Sequence, residues 1–260
     1  MALIAMTPTT EPTCRQCDDT GWVEQHPGQI PRRMQRCACF VQKHTRTYAD
    51  GVPREFRDAR LENYRAMPGN RAALRAARAC LDGEDDLFLV GPIGSGKTRL
   101  ACSVLNEHFL RTGSGLFIRT PKLLLDLQLL IVGDGKTVEN RARDRDYCER
   151  LFSVSMLVLD DIGVEKPSQF TNRTLYTVYE ERGDRGLRTI WTSNLGLARD
   201  PRFAPDDPRQ TSTLGEFLGD DRLPSRIAGR AEIAFLDCPD QRLEDYSDVQ
   251  PPYIWSGGDC

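Results

Sequence analysis

The sequence predicts an α/β fold, a parallel sheet of five strands covered by helices, with a small cysteine-bearing unit ahead of it. Three observations carry this. Short apolar runs alternate with longer amphipathic stretches: LFLV, TRLACSVLNEHFLRTG, LFIR, PKLLLDLQLLIVG, MLVLDD, FTNRTLYTVYEERG, RTIWTSN, PSRIAG and EIAFLD. Runs that are apolar without alternation belong to strands buried on both faces, which is the signature of a parallel sheet. The spacing GPIGSGKT stands between the first such run and the helix that follows it. Finally, four of the nine cysteines crowd into the first forty residues as CRQC and CAC.

A chain of 260 residues that is 39% hydrophobic can bury the core of one full α/β domain with a small appendage, and no more than two units. Its formal net charge of −3 gives no bulk attraction to nucleic acid, so any contact with DNA must be local. The opening MALIAMTPTT is apolar for six residues only and has no basic leader. No window approaches the roughly 20 apolar residues of a membrane span, so the expectation is a soluble, cytoplasmic protein with no membrane contact. Without a secretory route, the cysteines read as metal ligands or free thiols and not as a disulfide framework. The expected division is a zinc-binding unit over 1–50, a linker and helix over 51–84, and a nucleotide-binding domain over 85–260.

GPIGSGKT runs from Gly91 through Pro92, Ile93, Gly94, Ser95, Gly96 and Lys97 to Thr98, and matches the P-loop G-x-x-x-x-G-K-[ST] in the strand-to-helix setting that the mechanism demands. Gly91, Gly94 and Gly96 are expected at positive φ, turning backbone N–H groups onto phosphate oxygens at the positive end of a helix dipole. Lys97 reaches the β and γ phosphates and Thr98 offers its hydroxyl to Mg²⁺, so the expected ligand is ATP with Mg²⁺. MLVLDD delivers Asp160 and Asp161 to the carboxyl edge of the sheet, where α/β folds bind ligands. Asp160 is the expected Mg²⁺ partner, and Asp161 the residue that orients or deprotonates the attacking water. RTIWTSN ends in Asn194, which holds the lytic water if its strand neighbours that of Asp160. DDRLPSRIAGR sets Arg222, Arg226 and Arg230 four residues apart on a short helix, the first two on one face. Arg226 is the expected arginine finger, presented to a neighbouring subunit, with Arg222 as its assistant.

In the order GPIGSGKT, LVLDDIG, RTIWTSN, RLPSRI, the text resembles the DnaC and IstB group of AAA+ ATPases over roughly residues 51–240. The resemblance implies a P-loop NTPase of AAA+ type, with Lys97 and Thr98 in Walker A, Asp160 and Asp161 in Walker B, Asn194 as sensor 1 and Arg226 as finger. Only about thirty residues follow Gly229, beginning with the strand EIAFLD, so a C-terminal helical lid is not expected and the site depends on a neighbouring copy for closure. The resemblance further implies an ATPase that loads a replicative DNA helicase onto single-stranded DNA, self-associating through its ATP interface. An IstB-like transposition regulator acting on duplex DNA is the alternative, and a small-molecule kinase a third reading. Two helices, near Pro121–Val132 and Val138–Phe152, are expected between LFIR and MLVLDD; Arg119, Lys122, Lys136, Arg141, Arg143 and Arg145 there either line a channel for nucleic acid or make a solvated face with Asp144, Asp146 and Glu149.

Cys14, Cys17, Cys37 and Cys39 offer four thiolates in a segment with too little apolar material to fold unaided, and a tetrahedral Zn²⁺ is their natural occupant. Gly21 allows a tight knuckle with N–H groups facing sulfur, and His26 and His44 are substitutes for a missing thiolate. Loaders of the DnaC and DnaI sort often carry an N-terminal domain that grips the helicase, whereas IstB-like transposition ATPases generally lack a cysteine module of this kind, so the resemblance together with this unit points toward a loader.

Overall fold

The computed structural model describes residues 14–18, 20–24, 34–37, 39, 48–132, 138–199 and 212–241. The expected Lys136, His26, His44 and the tail beyond Gln241 lie outside these residues, as do the side chains of Arg141, Arg143 and Asp144. Near the N-terminus, β1 (Trp22–Glu24) and β2 (Met34–Arg36) pair antiparallel as a small hairpin.

The larger sheet contains β3 (Asp86–Val90), β4 (Leu116–Arg119), β5 (Met156–Ile162), β6 (Arg188–Ser193) and β7 (Ala231–Phe235) in the order β4-β5-β6-β3-β7. Every neighbouring pair is parallel, as the continuous apolar runs predict. Successive side chains of a strand point to opposite faces, and β3 shows how each face acquires its own core. Leu87 and Leu89 pack with Leu100, Ala101 and Leu105 of α2 (Lys97–Thr112) and with Ala73 and Ala77 of α1 (Arg71–Asp82). Phe88 and Val90 face Leu123 of α3 (Thr120–Val132), Leu151 of α4 (Val138–Ser153), and Leu175 and Val178 of α5 (Gln169–Asp184). Leu214 and Leu218 of α6 (Leu214–Leu218) and Ile227 of α7 (Arg222–Ala228) complete that second face.

Local chemistry sets the helix ends. Ser168 accepts the Thr171 N–H as the N-cap of α5. Gly113, at φ 70°, ends α2 and donates its N–H to the Phe109 carbonyl in a left-handed cap. Helix α6 has no counterpart in the sequence reading. It is a single turn without room for apolar periodicity, and a reciprocal capping box between Thr213 and Glu216 defines it.

The stretch read as a linker packs into the body of the fold. Val52, Ala59, Leu61 and Tyr64 are buried in the core of α1 and α2. Asn106 of α2 accepts the Ala49 N–H at 3.2 Å and donates to the carbonyls of Phe56 and Ala59 at 3.0 and 3.2 Å. The segment is mostly turns with one 3₁₀ turn at Arg54–Phe56, so its buried side chains follow no helical or strand period and the sequence conceals them.

Arg182 of α5 is fully buried. Its guanidinium donates to the Leu151, Val154 and Arg188 carbonyls and to Thr189 Oγ1, joining the end of α4 to the start of β6. Arg182→Met keeps the length but orphans three carbonyls, and should cost about 3 kcal/mol or more of stability. Urea unfolding checks this as a lower midpoint with an unchanged m-value.

Candidate functional site

The P-loop joins β3 to α2. Gly94 and Gly96 adopt φ 76° and 95°, as the loop requires. Gly91 does not share this conformation, contrary to expectation. It is needed for close approach, since a Cβ there would lie 2.3 Å from the Leu236 carbonyl oxygen. Ile93, at the loop tip, is exposed, and Ser95 is buried with its hydroxyl unpartnered among the described residues. Lys97 is buried, and its ammonium donates to the Gly91 and Pro92 carbonyls, both at 2.8 Å, and to Asn194 Oδ1 at 2.9 Å.

Strand β6 lies between β3 and β5, so Asn194 stands beside the strand of Asp160 and touches the P-loop lysine as well. Asp160 is buried, and burial together with the adjacent Asp161 charge pushes its carboxyl upward, against hydroxyl hydrogen bonds from Thr192 and Thr98. A Thr98 hydroxyl against a buried, charge-stressed carboxylate is an oxygen donor set suited to Mg²⁺. Asp161 sits at φ 60° in a break of the β5–β6 register between Leu159 and Ile162, a strained conformation for a residue with a side chain.

Thr192 went unnoticed as a site residue. Its hydroxyl donates to Asp160 Oδ1 at 2.8 Å and accepts the Asp161 N–H at 2.9 Å, so one side chain orients both acidic residues. Its signal, a hydroxyl in a buried strand, is shared by Thr189 and Ser193 of β6 and so did not single it out. Glu165 was also missed. Its buried carboxylate accepts the Gly163 and Val164 N–H groups at 3.0 and 3.1 Å and shapes the turn after β5.

A pocket of about 480 Å³ is lined by Lys97, Thr98, Asp161 and Asn194 and also by Phe56, Arg99 and Gln241. Arg222 and Arg226 are not among its described lining residues. They share one face of α7, as expected, and both lie over the Tyr176 ring, at 5.9 and 5.4 Å. Arg222 pairs with Asp220 at 2.6 Å and Arg226 with Glu180 at 2.9 Å, while Arg230 turns inward to the buried Asp86. In the inserted helices, Lys122 pairs with Asp126, and Arg119, Lys122 and Arg150 line a separate cavity of about 640 Å³ with Asp126, Asp146 and Tyr147. That lining mixes both charges.

The second candidate centre is the N-terminal hairpin. The sulfurs of Cys14, Cys17, Cys37 and Cys39 lie within 4.8 Å of one another. Gly21, at φ 75°, turns its N–H onto Cys17 Sγ at 3.3 Å and accepts the Cys37 N–H at 2.9 Å, the knuckle expected from sequence. Backbone N–H groups of Gln16 and Cys17 bring the Cys14 thiol down to about 7. Four converging sulfurs form a donor set that suits a tetrahedral thiophilic metal.

The family model for IstB-like ATP-binding proteins matches residues 52–217, a stretch holding the P-loop, both aspartates and Asn194. The chain belongs to that family. It is 30% identical over 164 residues to an insertion-sequence protein described as ATP-binding, from IS1162 of Pseudomonas fluorescens, covering 53% of this chain and 65% of that protein, slightly under two thirds of its length. It is 26% identical over 198 residues to the replicative helicase loader DnaC of Escherichia coli K12, covering 72% of this chain and 78% of the loader. A crystal structure of the DnaC helicase loader superposes with a TM-score of 0.58 at 25% identity, over 71% of this chain and all of that one. The fold is thus the P-loop AAA+ fold of these proteins.

If Lys97 carries the charge that holds a triphosphate, Lys97→Ala should abolish measurable ATP binding, because the loop backbone cannot replace its charge-assisted contact. Asp161→Asn should still bind ATP with Mg²⁺. Calorimetric titration of both variants beside the wild type checks the pair.

Proposed function

We propose that this protein is an ATP-hydrolysing helicase loader, which binds a hexameric replicative helicase and helps place it on single-stranded DNA. The ATPase half of this reading is carried by the convergence of Lys97, Thr98, Asp161 and Asn194 on one pocket. Lys97 and the loop amides hold the phosphates, and Asn194 and Asp161 position the attacking water, with Asp161 as the proton acceptor. Mg²⁺, held by Thr98 and Asp160, would neutralise charge on the phosphates. Arg226, exposed and paired on its own subunit with the half-buried Glu180, completes the site of a neighbouring copy, with Arg222 beside it. A guanidinium delivered in trans ties hydrolysis to assembly, as a loading cycle requires.

The loader half rests on the extent of the similarity to DnaC, which reaches over 72% of this chain, and on the cysteine hairpin. In this reading Cys14, Cys17, Cys37 and Cys39 hold one structural Zn²⁺, and the stapled unit is the part that grips the helicase. The 30% identity to the IS1162 protein supports a second reading, a transposition regulator acting on duplex DNA.

Purified protein should contain one zinc per chain, and Cys37→Ser should lose both the metal and capture of the replicative helicase while keeping ATP binding. Elemental analysis and pull-down on the same preparations decide this. Metal-free wild type would sink the zinc assignment, and capture of transposase and duplex DNA without helicase would favour the second reading.

For the finger, Arg226→Ala and Asp161→Asn proteins should each be nearly inactive, since loss of a finger costs roughly 10³-fold or more. Mixed in the presence of helicase and single-stranded DNA, they should recover part of the ATPase rate, because some interfaces then join an intact Asp161 to an intact Arg226. No recovery in an assembly shown to contain both variants would place Arg226 in cis or in a purely structural role.

A further inference from the structure

After β7 the chain crosses the P-loop. Leu236 donates its N–H to the Val90 carbonyl at 2.8 Å and Asp237 to the Gly69 carbonyl at 2.9 Å. Farther on, the Gln241 N–H reaches the Gly94 carbonyl at 3.1 Å, and the Gln241 side-chain Nε2 reaches the Ser95 carbonyl at 3.3 Å. The fit is close along the whole crossing. A Cβ on Gly91 would meet the Leu236 oxygen at 2.3 Å, one on Gly94 would meet Asp240 Oδ1 at 1.9 Å, and one on Gly96 would come within 3.3 Å of Gln241 Nε2. The glycines of the loop therefore accommodate this strap as well as the turn.

The strap also enters the pocket. Lys97, Thr98, Asp161 and Asn194, with the loop glycines Gly94 and Gly96, account for the phosphate and water-handling part of its lining, which leaves the apolar Phe56, Ile93 and Val164 and the polar Arg99 and Gln241. A volume of about 480 Å³ exceeds what a triphosphate needs and lies in the range of sites that hold whole small ligands. The nucleoside must then lie against the remaining residues. Among them Gln241 has a defined hydrogen-bonding polarity. Its Nε2 faces a carbonyl, which only a donor can do, so the group it can offer a ligand is the Oε1 acceptor.

We propose that Gln241 reads the base of the nucleotide: anchored through Nε2 to the P-loop, it accepts a hydrogen bond at Oε1 from the exocyclic amino group of adenine. Guanine carries a keto oxygen at that position, which sets acceptor against acceptor. The strap thereby builds, in cis and from the segment just past the last strand, a selective wall for the nucleoside. This assignment rests on the reading of the pocket as an ATP site.

The test uses the full chain with wild type, Gln241→Leu, Gln241→Ala and Lys97→Ala, titrating ATP and GTP separately by calorimetry. Wild type should prefer ATP. Gln241→Leu, which keeps the volume, and Gln241→Ala should each weaken ATP binding about tenfold, the value of one hydrogen bond whose loss leaves a polar group unpaired. GTP binding should change less, so the preference collapses toward parity. An unchanged ratio of ATP to GTP affinity in both Gln241 variants would overturn the assignment, including the case in which both nucleotides weaken equally and the strap is only a clamp. A wild type that binds the two nucleotides equally would also overturn it while leaving the ATP site intact. Failure of wild type to bind either nucleotide, with Lys97→Ala no different, would instead overturn the ATP-site reading on which the proposal stands.

Discussion

The position of β6 between β3 and β5 organises the rest of this molecule. The P-loop leaves β3 and the acidic pair ends β5, but those strands do not touch; each pairs with β6, through Leu87↔Ile190 on one side and Met156↔Arg188 on the other. Three consecutive residues, the last two of β6 and the one that follows it, bridge the gap. Thr192 holds both aspartates, Ser193 donates to the Ile162 carbonyl at 2.7 Å, and Asn194 meets the Lys97 ammonium. The P-loop and the acidic pair are thus set at a distance fixed by one strand's width.

That arrangement has a cost, located at Asp161. The break in the β5–β6 register gives it a left-handed backbone, which for a non-glycine residue costs on the order of 1–3 kcal/mol. The surroundings over-determine it: Thr192 accepts its N–H, Gly163 takes φ 90° just beyond, and Glu165 ties down the two N–H groups after that. The strain aims the carboxylate into the pocket while Asp160, one residue earlier, stays buried in the sheet.

The other end of β6 is anchored by charge that has been taken out of water. Arg182 binds carbonyls of α4 and β6, the buried Asp86 carboxylate accepts the Thr189 N–H at 2.7 Å, and Arg230 closes on Asp86 at 3.4 Å. Arg188 donates to His108 Nδ1, and burial brings His108 down to about 3, so its ring is neutral and its other nitrogen is free to donate to Ser155. Each charged group here is hydrogen-bonded on several sides, the condition under which buried charge is tolerated. Arg230 follows directly on α7, so the same network sets the helix bearing Arg222 and Arg226 against the sheet.

Chemistry and order along the chain were legible in the sequence, because they depend on local rules. A continuous apolar run demands burial on both faces, and a P-loop spacing between strand and helix has one physical use. Four cysteines in a segment without a core call for a staple, and the hairpin brings their sulfurs together. What remained hidden depends on partners distant in sequence. Gly91 looked like a positive-φ residue until the Leu236 carbonyl lay against it, and residues 51–64 looked like a linker because buried side chains in irregular backbone leave no period to read. Thr192 needed a neighbouring strand to orient, and Gln241, in a stretch with no pattern of its own, acquired its place only when the sheet delivered the end of β7 beside the P-loop. The sequence by itself determined which groups the site contains; parallel strand order, a property of pairing between residues as far apart as Asp86 and Ala231, decided which of them meet.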